Sequence, residues 1–455
     1  MNEIREVLIN EKYLNKNVNV FGWIKYRRIS KEIGFLTITD GSNIEGIQIV
    51  FKKNLLSKEK FEKLLNINLF TPVSIKGKLI KNLRNNLNEI NLEDFTVLNN
   101  VDNDFILGKK EHSLEYLREN AHLRIKTTLF QAIMKIRTTL YSELISFFEK
   151  ENFYYVAAPI ITSNDAEGAG ETFKILKNND KPFFNNVGGV LSVSGQLHAE
   201  SYAQSLGKVY TFAPTFRAEN SNTTKHAAEF WMLEPEMTFY DYFKAMDFGE
   251  KMLKVVVRKT LEKCKNEFKV LESILKIKII SELELFLKED FMKISYKEAI
   301  IILKNALEEN KVNFDEKNIK FGLDFGTEHE RYLTEKHFKK PVYIYDFPFK
   351  IKSFYMFKNN DTDNTVRGFD LLVSGIGELI GGSQREYRYE TLLQSLKEKN
   401  INSKDLEWYL NLRKSGYAPS SGFGLGFERL MIFVTKMENI RDVIPFPRTP
   451  GKLLF

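Results

Sequence analysis

Three short stretches of the chain carry side chains whose types and spacing suit nucleotide chemistry. The first is Thr211-Phe212-Ala213-Pro214-Thr215-Phe216-Arg217-Ala218-Glu219-Asn220, followed after a polar loop by His226-Ala227-Ala228-Glu229-Phe230. Residues two apart on a strand face the same side, so Arg217 can clamp a phosphate while Glu219 accepts a hydrogen bond from an amine. An exposed ion pair is the plainer reading of the same two residues. The second stretch, Gly375-Ile376-Gly377-Glu378 through Gly381-Gly382-Ser383-Gln384-Arg385-Glu386, offers a carboxylate for Mg²⁺ and a cation for a ligand, or else forms a solvated turn. The third, Ser421-Gly422-Phe423-Gly424-Leu425-Gly426-Phe427-Glu428-Arg429-Leu430, alternates glycines without the GxGxxG spacing of a dinucleotide fingerprint. It reads as a glycine-rich strand that lets a planar ligand approach the backbone, with Arg429 at the start of the next helix, or as a simple packing site.

Two regions of different periodicity must position these groups. From about Asn17 to Leu98, apolar residues alternate in short runs, as in Val18/Val20, Leu36/Ile38 before Asp40-Gly41, Ile47/Ile49/Phe51, Val73/Ile75 and Ile90/Leu92. Five such antiparallel runs in so short a span predict a small closed barrel of the oligonucleotide-binding kind. Residues 101–113 are polar and read as a linker. The period then changes: Leu129, Ile133, Ile136, Leu140, Leu144 and Phe147 recur at three or four, predicting a long amphipathic helix that runs into a strand ending at Pro159. Lys- and Glu-rich helical patterns follow to about residue 335, with mixed strands after them. The predicted architecture is therefore α+β and multidomain: a barrel over 1–100, a hinge over 101–125 and a second domain over 126–455 with a helical insertion at about 245–335.

Composition narrows the class without choosing a function. With 455 residues, 43% hydrophobic and 28% charged, the chain can bury a sizeable core, which excludes a disordered protein or a stapled miniprotein. Lys and Arg total 67 against 60 acids, so the net charge of +7 permits a polyanionic partner without requiring one. A single cysteine, Cys264, points to a reducing compartment. No apolar run is long enough for a membrane helix, and no targeting segment is evident, so a cytoplasmic protein without a membrane partner is expected. Neither HExxH, GxSxG nor GxxxxGK[ST] occurs.

In this order, the long helix ending in a strand and Pro159, the Phe216-Arg217-Ala218-Glu219 segment and the GxGxGxER segment resemble motifs 1, 2 and 3 of class II aminoacyl-tRNA synthetases. With a barrel in front, the chain is similar to subclass IIb, which contains the aspartyl, asparaginyl and lysyl enzymes. The segments Glu115-Tyr116-Leu117-Arg118, Ala121-His122-Leu123-Arg124, 217–222, 381–386 and 441–448 resemble the asparaginyl members. The resemblance implies a catalytic domain over 126–455, an antiparallel sheet flanked by helices. It further implies ATP as substrate, Mg²⁺ as metal, tRNA(Asn) and L-asparagine as partners, and a homodimer joined through motif 1.

The same resemblance assigns roles. Arg217 would bind the substrate carboxylate and the α-phosphate, Glu219 the adenine amino group, Phe230 and Arg429 the two faces of adenine, and His226 the γ-phosphate. Gly426 would lie against the nucleotide, and Glu378, with Asp370, would hold Mg²⁺. Some relatives have a serine where this chain has Gly381. Glu171, in the loop Ala166-Glu167-Gly168-Ala169-Gly170-Glu171, and Gln196 would hold the α-amino group, with Ser194 beside them. The aspartyl relatives carry a lysine where this chain has Ala199; Glu200 would accept from the amide NH₂ of asparagine and repel a carboxylate, while Arg385 donates to the amide oxygen. On the barrel, Phe35 would stack on the central anticodon uridine and Gln48 read its edge, with Lys25, Arg27, Arg28 and Lys31 at the phosphates. Two alternatives stand beside this reading: a compact aspartyl enzyme, possibly charging both tRNAs, and a catalytically silent paralogue that only binds RNA.

Overall fold

The computed structural model describes residues 2–82, 86–102, 105, 107, 112–163, 171–177, 181–184, 188–221 and 223–455. The chain forms two compact units, Met1–Ala132 and Ile133–Phe455.

In the first unit, β1 (Asn17–Ile29), β2 (Ile33–Thr39), β3 (Ile47–Lys52), β4 (Pro72–Lys81) and β5 (Asn88–Val97) close a barrel in the order β1-β2-β3-β5-β4. Alternation decides which residues fill it. Val18, Val20, Leu36, Ile38, Ile47, Ile49, Val73, Ile75 and Ile90 point inward and are buried, so their neighbours must point out. β3 and β5 pair in parallel, and the other contacts are antiparallel. A helix absent from the sequence expectation, α1 (Lys58–Asn66), joins β3 to β4. Ser57 caps it by accepting from Lys60 N at 3.3 Å, and Phe61 and Leu64 enter the barrel core.

The helix α2 (Thr128–Lys150) follows the spacing read from sequence: Leu129, Ile133, Ile136, Leu140, Leu144 and Phe147 are all buried. The second unit is built on an eight-stranded sheet of β6 (Tyr154–Tyr155), β7 (Lys208–Phe216), β8 (Glu229–Thr238), β9 (Met292–Ser295), β10 (Val342–Pro348), β11 (Thr365–Val373), β12 (Gly377–Gln384) and β13 (Ser420–Gly426). Its order is β9-β10-β11-β12-β13-β8-β7-β6. The six central strands are antiparallel, while β6 and β9 join in parallel at the two edges. The stretch 245–335 is mainly helical but also supplies β9, so it is woven into the sheet as well as laid over it. A separate small sheet of Ile161–Thr162, Gly189–Leu191, Lys174–Lys177 and Lys181–Pro182 was not expected from the sequence. Three helices matter for the site: α3 (Gln196–Leu206), α4 (Tyr242–Lys263) and α5 (Phe427–Thr435). No helix among the described residues is long and apolar enough to cross a membrane.

Candidate active site

The centre of the sheet is where separated segments meet. β7 and β8 pair with Thr215 opposite Phe230, β8 pairs with β13 with Met232 opposite Gly426, and β13 pairs with β12 with Gly424 opposite Gly381. Against these strands lies a cavity of about 130 Å³ lined by Arg217, Glu219, His226, Phe230, Glu378, Gly426 and Arg429. Ser221, Lys225, Met232 and Glu428 also line it. The Arg217 guanidinium stands 5.4 Å from the Phe230 ring centroid. Arg429 donates through Nη1 to the Glu378 carbonyl at 2.9 Å. Beneath it, Glu428 is buried and accepts from Trp231 N at 2.8 Å and from Arg137 Nη2 at 2.6 Å, which locks β8 and α2 to α5. The His226 ring, hydrogen-bonded to Thr223 Oγ1, is held below the usual imidazole range by burial and by Arg429. It therefore stands neutral at pH 7.

A close backbone approach accounts for one of the alternating glycines. A Cβ on Gly422 would lie 2.3 Å from Glu236 Oε1 and 2.4 Å from the Pro235 carbonyl, so the strand can pass there only without a side chain.

A buried polar network gathers around Glu200 and Arg385. Glu200, on α3, is fully buried: Oε1 accepts from Gln196 Nε2 at 3.0 Å, and Oε2 accepts from Tyr409 OH (2.6 Å), Tyr417 OH (2.8 Å) and Arg413 Nη2 (3.0 Å). Burial would raise its pKa, but Arg413 and Arg385, with hydrogen bonds from Tyr409 and Gln196, hold it below the usual carboxylate range. Arg385 forks onto Glu236, with Nε at 3.0 Å from Oε2 and Nη2 on Oε1, and reaches Ser383 Oγ through Nη1 at 2.7 Å. Its Nε lies 3.8 Å from Glu200 Oε1. The sequence reading treated Glu200 and Arg385 as a bare acceptor and a bare donor; each instead has its own buried counter-ion. Glu236, Tyr409, Arg413 and Tyr417 escaped that reading. The Leu233-Glu234-Pro235-Glu236 run held a signal, because two acids inside an apolar strand must find partners. Glu234 does so by accepting from Ser194 Oγ, Gly195 N (2.8 Å) and Thr211 Oγ1 (3.0 Å), which fixes the start of α3.

For a metal, the donor set is lean. Glu378 faces the cavity, and Asp370, the other expected ligand, is ion-paired to Lys352 Nζ at 2.5 Å. Burial, with repulsion from Glu378, still lifts Asp370 to about 6, and burial with Glu378 and Asp370 lifts Glu330 to about 7. No group of three or more metal-ligating side chains gathers among the described residues. Mg²⁺ commonly uses one or two carboxylates plus phosphate and water, so Glu378 fits such an ion and the crowded carboxylates favour one. A Cβ on Gly381 would lie 2.5 Å from Glu378 Oε1, so the serine of some relatives would require the Glu378 carboxylate to shift.

Glu171 is exposed, and its carbonyl accepts from Ala218 N at 2.8 Å, next to Arg217. The loop 166–170 expected to close over the site lies outside the described residues.

On the barrel, Phe35 and Gln48 lie on the outer face, between inward Gly34/Leu36 and Ile47/Ile49 respectively. Arg28 is the β1 partner of Phe35, and Gln48 Nε2 donates to Glu89 Oε2 at 2.8 Å. Two of the four expected phosphate cations also hold main-chain carbonyls. Arg27 donates to the carbonyls of Ile67 (2.6 Å) and Leu65 (3.2 Å), and Lys25 to that of Ile44. Arg28 and Lys31 are exposed.

Residues 113–450 match the family model for class II tRNA synthetases (D, K and N). Over 456 residues the chain is 48% identical to the asparagine–tRNA ligase of Mycoplasma mobile, covering 100% of both, and it is 48% identical over 455 residues to that of Mycoplasmopsis pulmonis, covering 99% of both. The asparaginyl-tRNA synthetase of Pyrococcus horikoshii, solved in complex with asparaginyl-adenylate, superposes with a TM-score of 0.87 at 34% identity over 99% of each chain.

Proposed function

Since the chain belongs to the class II tRNA synthetases of the D, K and N group, we propose that it attaches L-asparagine to tRNA(Asn) at the expense of ATP. The observation that carries this reading is convergence: motif 2 supplies Arg217, Glu219, His226 and Phe230, β12 supplies Glu378, and motif 3 supplies Gly426 and Arg429, all to one cavity.

The α-carboxylate of asparagine attacks the α-phosphorus of ATP in line, forming asparaginyl-adenylate and releasing pyrophosphate. Arg217 neutralises the charge gathering on the α-phosphate and holds the attacking carboxylate, so catalysis is positioning and electrostatics without an enzyme nucleophile. Glu219 accepts from the adenine amine, and Phe230 and Arg429 sandwich the ring. His226, neutral, donates toward the γ-phosphate. Mg²⁺, held by Glu378, would offset phosphate charge. Glu171 and Gln196, with Ser194 ordering the loop, receive the α-amino group. A terminal ribose hydroxyl of the tRNA then displaces AMP.

Selectivity for the amide follows from Glu200 and Arg385. Glu200 Oε1 accepts from the asparagine NH₂ and Arg385 donates to the amide oxygen. Because each arginine already has its carboxylate, aspartate would bring a charge with no cation to receive it. Phe35 stacks on an anticodon base, Gln48 reads its edge, and Arg28 meets the backbone. A homodimer and a cytoplasmic setting complete the proposal: Tyr154 (58% exposed) and Tyr155 (54%) sit on β6 at the sheet's open edge, which suits pairing with a second copy. Arg217, Glu219, Glu378 and Arg429 together in one cavity count against the RNA-only alternative, and Ala199, where the aspartyl relatives carry a lysine, counts against the aspartyl one.

Exchange of labelled pyrophosphate into ATP tests the first step. Asparagine should drive it and aspartate should not; equal rates would overturn the amide assignment.

A further inference from the structure

Lys225 lines the nucleotide cavity, yet none of the roles above uses it. Its Nζ donates to the carbonyl of Ile376 at 2.7 Å, spanning from the motif 2 loop to the turn that joins β11 to β12. That turn is shaped by Gly375 (φ +77°) and Gly377 (φ +83°), left-handed conformations that favour glycine. The next residue is Glu378, whose own carbonyl accepts from Arg429 Nη1 at 2.9 Å. A third group backs the turn: a Cβ on Gly377 would fall 2.3 Å from Glu330 Oε2, so the short helix Thr327–Arg331 is packed directly against it. The motif 2 loop is itself anchored one residue earlier, where the Thr224 carbonyl accepts from Ile440 N at 2.8 Å.

The geometry points to Lys225 as a positioning residue for ATP: it latches the loop that carries His226 to the turn that carries Glu378. The two phosphate-facing groups come from elements far apart in sequence, and the Lys225–Ile376 bond sets their separation. Arg429 fixes the same turn from motif 3, so the turn is held at Ile376, between its two glycines, and at Glu378, just past the second. Lys225 acts through Glu378 and His226 and needs no contact with the reacting atoms. This inference rests on the nucleotide reading of the cavity and adds a residue to it.

The test compares the full-length chain with Lys225→Met, which keeps the aliphatic stem and removes the donor, and with Lys225→Arg, which keeps a donor. Calorimetric titration with Mg·ATP in the absence of amino acid reads binding directly. Lys225→Met should weaken it by about tenfold, the scale of one lost charge-assisted hydrogen bond, and Lys225→Arg should recover most of that. In pyrophosphate exchange, KM for ATP should rise in parallel while KM for asparagine stays unchanged. In a Glu378→Gln background, Lys225→Met should cost clearly less than it does alone, because part of its effect travels through Glu378. Losses that add fully in the double variant, an equal rise in KM for asparagine, or unchanged ATP affinity in Lys225→Met would each overturn the inference. A wild-type chain that binds no ATP would instead overturn the nucleotide reading itself.

Discussion

Four donors converge on the buried carboxylate of Glu200, and a residue so enclosed cannot be changed without consequence for both fold and selectivity. Glu200→Gln keeps the volume but leaves Arg413 buried without its counter-ion. Thermal or denaturant unfolding should show a loss of about 3–5 kcal/mol, and in exchange assays KM for asparagine should rise about 100-fold or more. Glu330 gives a pH signature. Its carboxyl is raised to about 7 in the folded chain, so ionising it costs stability: the cost is absent below the unfolded value near 4.5 and complete above 7. Glu330→Gln should therefore unfold at a higher temperature than the parent at pH 8, by roughly 1–2 °C for each kcal/mol relieved, and the two melting curves should coincide at pH 4. Arg217, Glu219, Glu378 and Arg429 were legible in sequence because each sits in a local pattern tied to its own chemistry. The partners of Glu200 and Arg385 were not: Tyr409, Arg413 and Tyr417 lie more than 200 residues from Glu200, and Glu236 lies 149 from Arg385. Contacts at that separation leave no periodicity to read.

The elements divide the same way. Alternating apolar residues specified all five barrel strands and the three-and-four spacing specified α2, because each buries a face that local sequence must supply. The helix α1 and the strand β9 were missed, since a nine-residue helix and a four-residue edge strand carry too few residues for a clear period. Motif 3 was legible as a glycine-rich strand, but its requirement for glycine at 422 comes from β8, which pairs with it there through Glu236 and Pro235. Gly422→Ala should therefore destabilise the protein by about 1–3 kcal/mol, seen as a lower urea midpoint. The Cβ would press on main chain and on the Glu236 carboxylate that holds Arg385, so asparagine affinity should fall with stability.

For the whole molecule, the proposed reading gives the two units separable tasks. Gln48→Ala on the barrel should raise KM for tRNA by roughly 5- to 150-fold, matching a base contact worth about 1–3 kcal/mol, while pyrophosphate exchange, which needs no tRNA, should be unchanged. Loss of exchange in that variant would contradict the division. The net charge of +7 carried little of the argument beside the positions of the barrel cations, two of which also donate to carbonyls of the chain itself. The central claim, that this chain couples asparagine to tRNA(Asn), is tested most directly by supplying the purified protein with ATP, tRNA(Asn) and equal asparagine and aspartate, then releasing and weighing the aminoacylated terminal adenosine by mass spectrometry. Asparaginyl-adenosine alone is the predicted product; aspartyl-adenosine, or unmodified adenosine only, would contradict it.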